Sequence, residues 1–346
     1  MLKNKTAPGR RGGRLETLDL LRGLTLISMI IYHGMWDFLY LSETGASMTA
    51  LRDWYETGGH LWQQSICRTF ILLSGFCVPF SRRIFRRGLQ VSAGGIAVSA
   101  VTIIALYEDR VVFGVLTFLG AAMLATGALQ SLLGKSGEKG ADNLTESARE
   151  AGKSTGAGRA SGLSASVPGK PAGRGKKTAM PLIYFAVCLF LFHVTRWINL
   201  GYLRLGPWVR LDLPAGLYTF GSGSFPGYVL TALGFTMKGF FSTDYFSFLP
   251  WIFLFWAGLF LNRMLSAAPG SCSGDEAAGK GHPESGTVEN GQLEIGQAVN
   301  RQASGSLFDS PVFHLELPLL NAIGRHSLPV YLIHQPVLYL LTMILF

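Results

Sequence analysis

Residues 16–40, ETLDLLRGLTLISMIIYHGMWDFLY, decide how the chain is read. Their centre, 24–32, carries no charge, yet it is bracketed by Asp19 and Arg22 on one side and by His33 and Asp37 on the other. At about 100° per residue, a helix puts Arg22 near 300°, His33 near 320° and Asp37 near 0° from Asp19. The four ionisable groups therefore share an arc of roughly 60°. Such groups are costly in lipid, so the arc must face other helices or a wet cavity. The segment reads as one wall of a polar site inside a membrane protein.

The composition supports that reading. Of 346 residues, 49% are hydrophobic and only 15% are charged, where a soluble domain carries about a quarter. Long apolar runs account for the shortfall. The net charge of +9 is not a nucleic-acid signal, because the basic residues cluster beside apolar segments, and no nucleic-acid partner is expected. Cys67, Cys77, Cys188 and Cys272 show no CxxC pairing, and three lie in apolar stretches, where a thiol packs as a small hydrophobe. No small-residue cleavage site follows the first apolar run, which argues against a removable signal peptide.

Taken in order, residues 1–15 form a basic cytoplasmic tail (Lys3, Lys5, Arg10, Arg11, Arg14), and Thr17 is placed to cap the first helix. Residues 16–133 hold four transmembrane helices. The first ends at 41 and the second spans 60–80, with the polar connection 42–59 between them. The basic run SRRIFRRG leads to the third, 89–107, and an EDR turn leads to the fourth, 111–133. Residues 134–179 are rich in Gly, Ser, Ala and Lys and read as a disordered cytoplasmic linker. Residues 180–264 hold the fifth and sixth helices around an outer segment, 201–247, where 225–241 suits a short or re-entrant helix. A second disordered linker covers 265–317, and the last helix falls within 318–346. The fold class is all-α: a polytopic transmembrane bundle of about seven crossings, with room for one extra re-entrant or broken helix at 221–241. Basic residues crowd one set of connections, so the N-terminus is placed in the cytoplasm, in the inner (plasma) membrane of the cell.

On this topology the Asp19–Arg22 end lies at the cytoplasmic face and the His33–Asp37 end at the outer face. The step from Arg22 to His33 is about 16 Å, roughly half the hydrocarbon thickness. His33 and Asp37 are four residues apart and share a face. A carboxylate beside an imidazole fixes its tautomer and raises its basicity, as a general base requires; the plainer alternative is a hydrogen bond that satisfies two buried polar groups. His60 lies level with them on the second helix. Arg68 sits inside the membrane and needs an anionic partner. His193 and Arg196 close the fifth helix, and Asp244 is placed to cap the sixth. His334, on a face with Ser327 and Tyr331 and beside Gln335, reads as a hydrogen-bonded helix–helix contact. No P-loop, GxGxxG, HExxH or GxSxG is present, and the histidines lack metal-cluster spacing, so no metal is expected.

The segment LDLLRGLTLISMIIYHGMWDF resembles the opening D-x-x-R-G-x-A helix of bacterial membrane proteins related to heparan-alpha-glucosaminide N-acetyltransferase. The resemblance continues at FILLSGFCVPFSRR, VVFGVLTFLGAAML, STDYFSFLPWIFLFWAGLF and IGRHSLPVYLIHQPVL, in order along the chain. The first motif also resembles the broader acyltransferase family 3. The resemblance implies an integral membrane acyltransferase that passes an acetyl group from cytoplasmic acetyl-CoA to an amino sugar or cell-surface glycan. It departs from the family at two places. The animal enzyme has asparagine where His33 falls and its catalytic histidine near Thr44, and Thr117 replaces the histidine of an F-G-x-L-H block. The expected roles are His33 as base, Asp37 orienting it and His60 assisting. Arg22 and Arg68, with Asp19, His193, Arg196 and Asp244, are expected to bind donor or substrate. The alternative is a transporter or flippase of a polar solute that uses the same intramembrane cavity.

Overall fold

A computed structural model describes residues 15–81, 83–133, 174–221, 223–267, 315 and 317–345. The basic tail and most of the two low-complexity segments lie outside the described residues. The elements run α1 (Glu16–Leu41), α2 (Glu43–Ser47), α3 (Thr49–Phe76), α4 (Ile84–Ala105), α5 (Val115–Leu133) and α6 (Arg174–Thr195). There follow β1 (Tyr202–Leu205), β2 (Val209–Asp212), α7 (Phe225–Leu233), α8 (Phe248–Ala267), α9 (Pro318–Arg325) and α10 (Ser327–Leu345). Among the described residues, α1, α4, α5, α6, α8 and α10 are each long and apolar enough to cross a bilayer. At 28 residues α3 is long enough to be the seventh crossing, but Arg52, Asp53, Glu56 and His60 keep its first turns polar.

Side-chain pairing fixes the direction of each helix. Leu18 at the start of α1 packs on Leu73, Phe76 and Cys77 at the end of α3, while Tyr32 stacks on Tyr55 with ring centroids 4.9 Å apart. These two helices are therefore antiparallel. Tyr184 meets Phe260 and Phe192 meets Trp251, which sets α6 against α8 in the same way. Contacts of Gly88 with Leu124 and of Gly95 with Thr117 do so for α4 and α5. In contrast, α10 runs parallel to α1: Val330 packs beside Leu26, His334 beside His33 and Gln335 beside Asp37. Successive long helices thus alternate, as a serially threaded membrane bundle requires.

The main core lies where α3, α5 and α8 meet, around Ile71, Phe118, Ala122, Ile252 and Phe255. The backbones of α3 and α8 approach closely through reciprocal glycines. A Cβ at Gly75 would lie 1.8 Å from the Phe255 carbonyl oxygen, and one at Gly258 would lie 2.0 Å from that of Leu72. In lipid, where apolar burial drives helix pairing little, such small-residue contacts supply the packing. Asn262 on α8 adds a buried hydrogen bond of 3.0 Å from Nδ2 to the Phe76 carbonyl.

Four connections differ from the reading by periodicity. The 42–59 stretch, read as a polar connection, is largely helical: Ser42 Oγ accepts from the Gly45 N–H (2.9 Å) to start α2, and α3 begins at Thr49 rather than near 60. Beyond the hydrocarbon, water satisfies polar helix faces, so the amphipathic run winds three turns early, burying Tyr55 while Asp53 and Glu56 stay exposed. Thr17 does not cap α1. Its hydroxyl instead accepts from the Leu315 N–H, and α9 docks on the first turns of α1 through a bond from Asn321 Nδ2 to the Glu16 carbonyl. The 201–247 segment opens with a β1–β2 hairpin in antiparallel register (Leu203 opposite Leu211) and then forms α7. At nine residues, α7 rises about 13 Å, too short to cross a bilayer. Lastly, α6 starts at Arg174, within the stretch read as linker.

Candidate active site

The side chains of α1 sort by face as its spacing requires. Leu21, Leu24 and Ile31 are exposed on the apolar side, about 120–200° round the helix from Asp19. Asp19 and Asp37 are buried, and Asp37 is completely enclosed. At the start of α1, Arg22 pairs with Asp19 at 3.5 Å.

Fifteen residues beyond Arg22 in chain terms, the other end of the polar arc meets α10. His334, itself buried, brings Nε2 to 3.4 Å from His33 Nδ1, with ring centroids 5.1 Å apart. His33 Nδ1 also lies 3.0 Å from the Met29 carbonyl, and His334 Nδ1 lies 2.6 Å from the Tyr331 carbonyl. Asp37 accepts a bond of 3.2 Å from Gln335 Nε2, so its partner is Gln335 rather than the His33 ring expected from the i, i+4 spacing. Asp37 turns to α10, while His33 Nδ1 is shared between its own helix at Met29 and His334 on α10. Asp37 Oδ2 and Gln335 Oε1 are buried without a hydrogen-bond partner.

A cavity of about 250 Å³ reaches Tyr331, one turn of α10 before His334, and neither His33 nor His334 lines it. Arg22, Arg87, Arg325 and His326 line it at the face where α1 begins, with Ser74, Ser81 and Gln90. Phe70 and Tyr331 stack at 6.2 Å along its wall. The Tyr331 ring is in turn 5.5 Å from that of His334. One path of side chains therefore joins a cationic mouth to the histidine pair. Spacing does not single out Arg325 and His326, and it puts Gln335 beside His334 without giving it Asp37 as a partner. Only the basic approach to α10 and the shared face of Tyr331 and His334 hinted at them, because their relation to α1 is set by packing.

The remaining expected residues are dispersed. His60 is exposed on the polar half of α3. Arg68 reaches Gln64 Oε1 at 3.5 Å, and its Nε is buried without a hydrogen-bond partner. Arg196 is exposed and lies over the Trp197 ring at 4.8 Å. His193 is exposed one turn before. Asp244 caps α5 rather than α8: its Oδ2 accepts from the Val115 N–H at 3.2 Å. The 242–246 strand of chain lies along 110–115, with Val112 N–H bonded to Ser242 Oγ and Phe246 N–H to the Phe113 carbonyl. Burial pushes the Asp244 carboxyl up to about 6, and the Val115 bond offsets part of that rise.

Fold and site together define a multi-pass helical membrane protein with paired imidazoles behind a cationic cavity, a layout suited to group transfer. The profile of the family described as heparan-alpha-glucosaminide N-acetyltransferase, catalytic, matches residues 14–135 and 179–280. The chain belongs to that family, which makes it a membrane acyltransferase. Among curated proteins and among solved structures, no match is found.

Proposed function

We propose that the chain moves an acetyl group from acetyl-CoA, admitted at the cationic face, to an amino sugar or cell-surface glycan presented at the other face. The supporting observation is the cavity that runs from Arg22, Arg87, Arg325 and His326 to Tyr331, whose ring adjoins His334 and so His33. Guanidinium groups suit the phosphates of CoA, and the apolar wall formed by Phe70, Leu119 and Met123 suits its pantetheine arm. The basic residues at this face support a cytoplasmic position by the positive-inside rule, and we read the bilayer as the inner membrane of the cell.

His33 is the base. As the acceptor nitrogen or oxygen bonds to the acetyl carbon, its proton passes to the imidazole, the carbon–sulfur bond breaks and CoA leaves as thiolate. Asp37, completely enclosed and held by Gln335, ties α1 to α10 beside the base. Arg68 meets developing negative charge. His60 faces water, where it is open to the acceptor alone. Arg196 and His193 stand at the same end of the bundle.

The test supplies purified protein in proteoliposomes with labelled acetyl-CoA and a panel of amino sugars. Label should appear on an amino sugar and on none in protein-free vesicles. Protein that neither binds acetyl-CoA nor transfers label to any member of the panel would overturn the reading.

A further inference from the structure

The two imidazoles sit in a hydrogen-bond arrangement that leaves one consistent set of proton positions. A carbonyl oxygen only accepts. The Tyr331 carbonyl lies 2.6 Å from His334 Nδ1, so that nitrogen carries a proton and donates it. A neutral His334 is then bare at Nε2, which acts as an acceptor. The Met29 carbonyl lies 3.0 Å from His33 Nδ1, so that nitrogen is protonated as well. His33 Nδ1–H also points toward His334 Nε2 at 3.4 Å and is shared between the two acceptors. His33 Nε2 is left with its lone pair.

We propose that His334 is the positioning residue of the base. Its bare Nε2 accepts from His33 Nδ1–H, joins the Met29 carbonyl in holding His33 in the tautomer whose Nε2 is free to take a proton, and steadies the imidazolium that forms. This rests on the reading of His33 as the base. His334 here does the work that a buried carboxylate does behind a histidine in hydrolytic triads, without bringing a second charge into the membrane interior. Asp37, the acid expected in that role, is engaged by Gln335. The Tyr331 carbonyl in turn holds His334 in its own tautomer, so α10 passes its backbone polarity through two rings to one nitrogen. His334 lies outside the stretch matched by the family profile, and 301 positions separate it from His33.

The experiment has two readouts. In protein labelled with ¹⁵N-histidine, the wild-type His33 ring should show a protonated Nδ1 and a bare Nε2, assigned by loss of its signals in His33→Gln. His334→Leu keeps bulk and removes one of the two acceptors on Nδ1–H, leaving the Met29 carbonyl; it should shift the His33 Nδ1 signal, admit the Nε2-protonated form beside the other, and lower kcat about 100-fold, with KM for acetyl-CoA changed less than about threefold. His334→Gln, whose side-chain oxygen can accept from Nδ1–H, should recover most of that loss. A wild-type His33 protonated at Nε2, a folded His334→Leu protein with undiminished kcat, or His334→Gln as inactive as His334→Leu would each overturn the proposal. If no acceptor is acetylated by any variant, the ring signals still decide the tautomer, so failure of the acyltransferase reading is told apart from failure of this one.

Discussion

A histidine within a membrane helix is stable only where its polar nitrogens find partners, because lipid supplies none. His33 meets this condition with the Met29 carbonyl and the His334 ring, and one nitrogen remains for chemistry. Replacing it with alanine should lower acetyl transfer by about 10²–10⁴-fold, measured as initial rate on protein whose thermal melt shows it folded. An unchanged rate would remove His33 from the reaction. Asp244 makes a different prediction. Its carboxyl stands at about 6 in the folded chain against an ordinary 3.8, so folding favours the protonated form. That contribution is complete below pH 3.8 and is lost as pH rises through about 6. Asp244→Asn stays neutral at every pH, so its melting temperature should vary less between pH 4 and 7 than that of the wild type. Parallel curves would show that other groups carry the slope.

At the scale of elements, the bundle depends on how closely helices can approach. The α3–α8 pair is joined where the missing side chains of Gly75 and Gly258 let each backbone touch the other. Gly75→Val forces the helices apart, since no rotamer relieves a clash with a main-chain carbonyl, and should cost about 1–3 kcal/mol, read as a lower melting temperature in detergent. Gly94→Ala is the matched control: its Cβ would lie 3.7 Å from the Leu328 and Leu332 methyls, an ordinary contact, and should leave the melt nearly unchanged. Equal melts for both variants would show that the glycine contact does not hold the pair. The same logic explains why α9 seats on α1. A Cβ at Gly324 would lie 1.8 Å from the Asp19 carbonyl, and this close seating brings Arg325 and His326 to the cavity that Arg22 lines.

Across the whole molecule, alternating helix direction gathers Arg22, Arg87 and Arg325 at one end and the hairpin with α7 at the other. Single cysteines replacing Arg325 and Asp212, both exposed, should therefore be labelled from opposite sides of sealed vesicles by an impermeant maleimide; labelling from the same side would refute the threading. The cationic mouth also implies salt-sensitive donor binding. Arg87→Glu should weaken acetyl-CoA affinity about fivefold or more at low ionic strength, with the gap from wild type narrowing as salt is added; a salt-independent defect would point to lost structure instead. The sequence alone was enough for the membrane class, the approximate crossings and the polar arc of α1, because run length, residue composition and the 3.6-residue period are local properties of the chain. The short helix expected within 225–241 is α7; the helical 42–59 stretch, the α5 cap at Asp244 and the β1–β2 hairpin were less legible, since each depends on a solvent boundary or on partners away along the chain. The tertiary structure alone showed that Asp37 is held by Gln335 and that His33 meets His334. Residues 301 apart leave no periodic trace of their contact, and the direction in which a side chain turns is decided by which neighbouring helix offers the better hydrogen-bond partner.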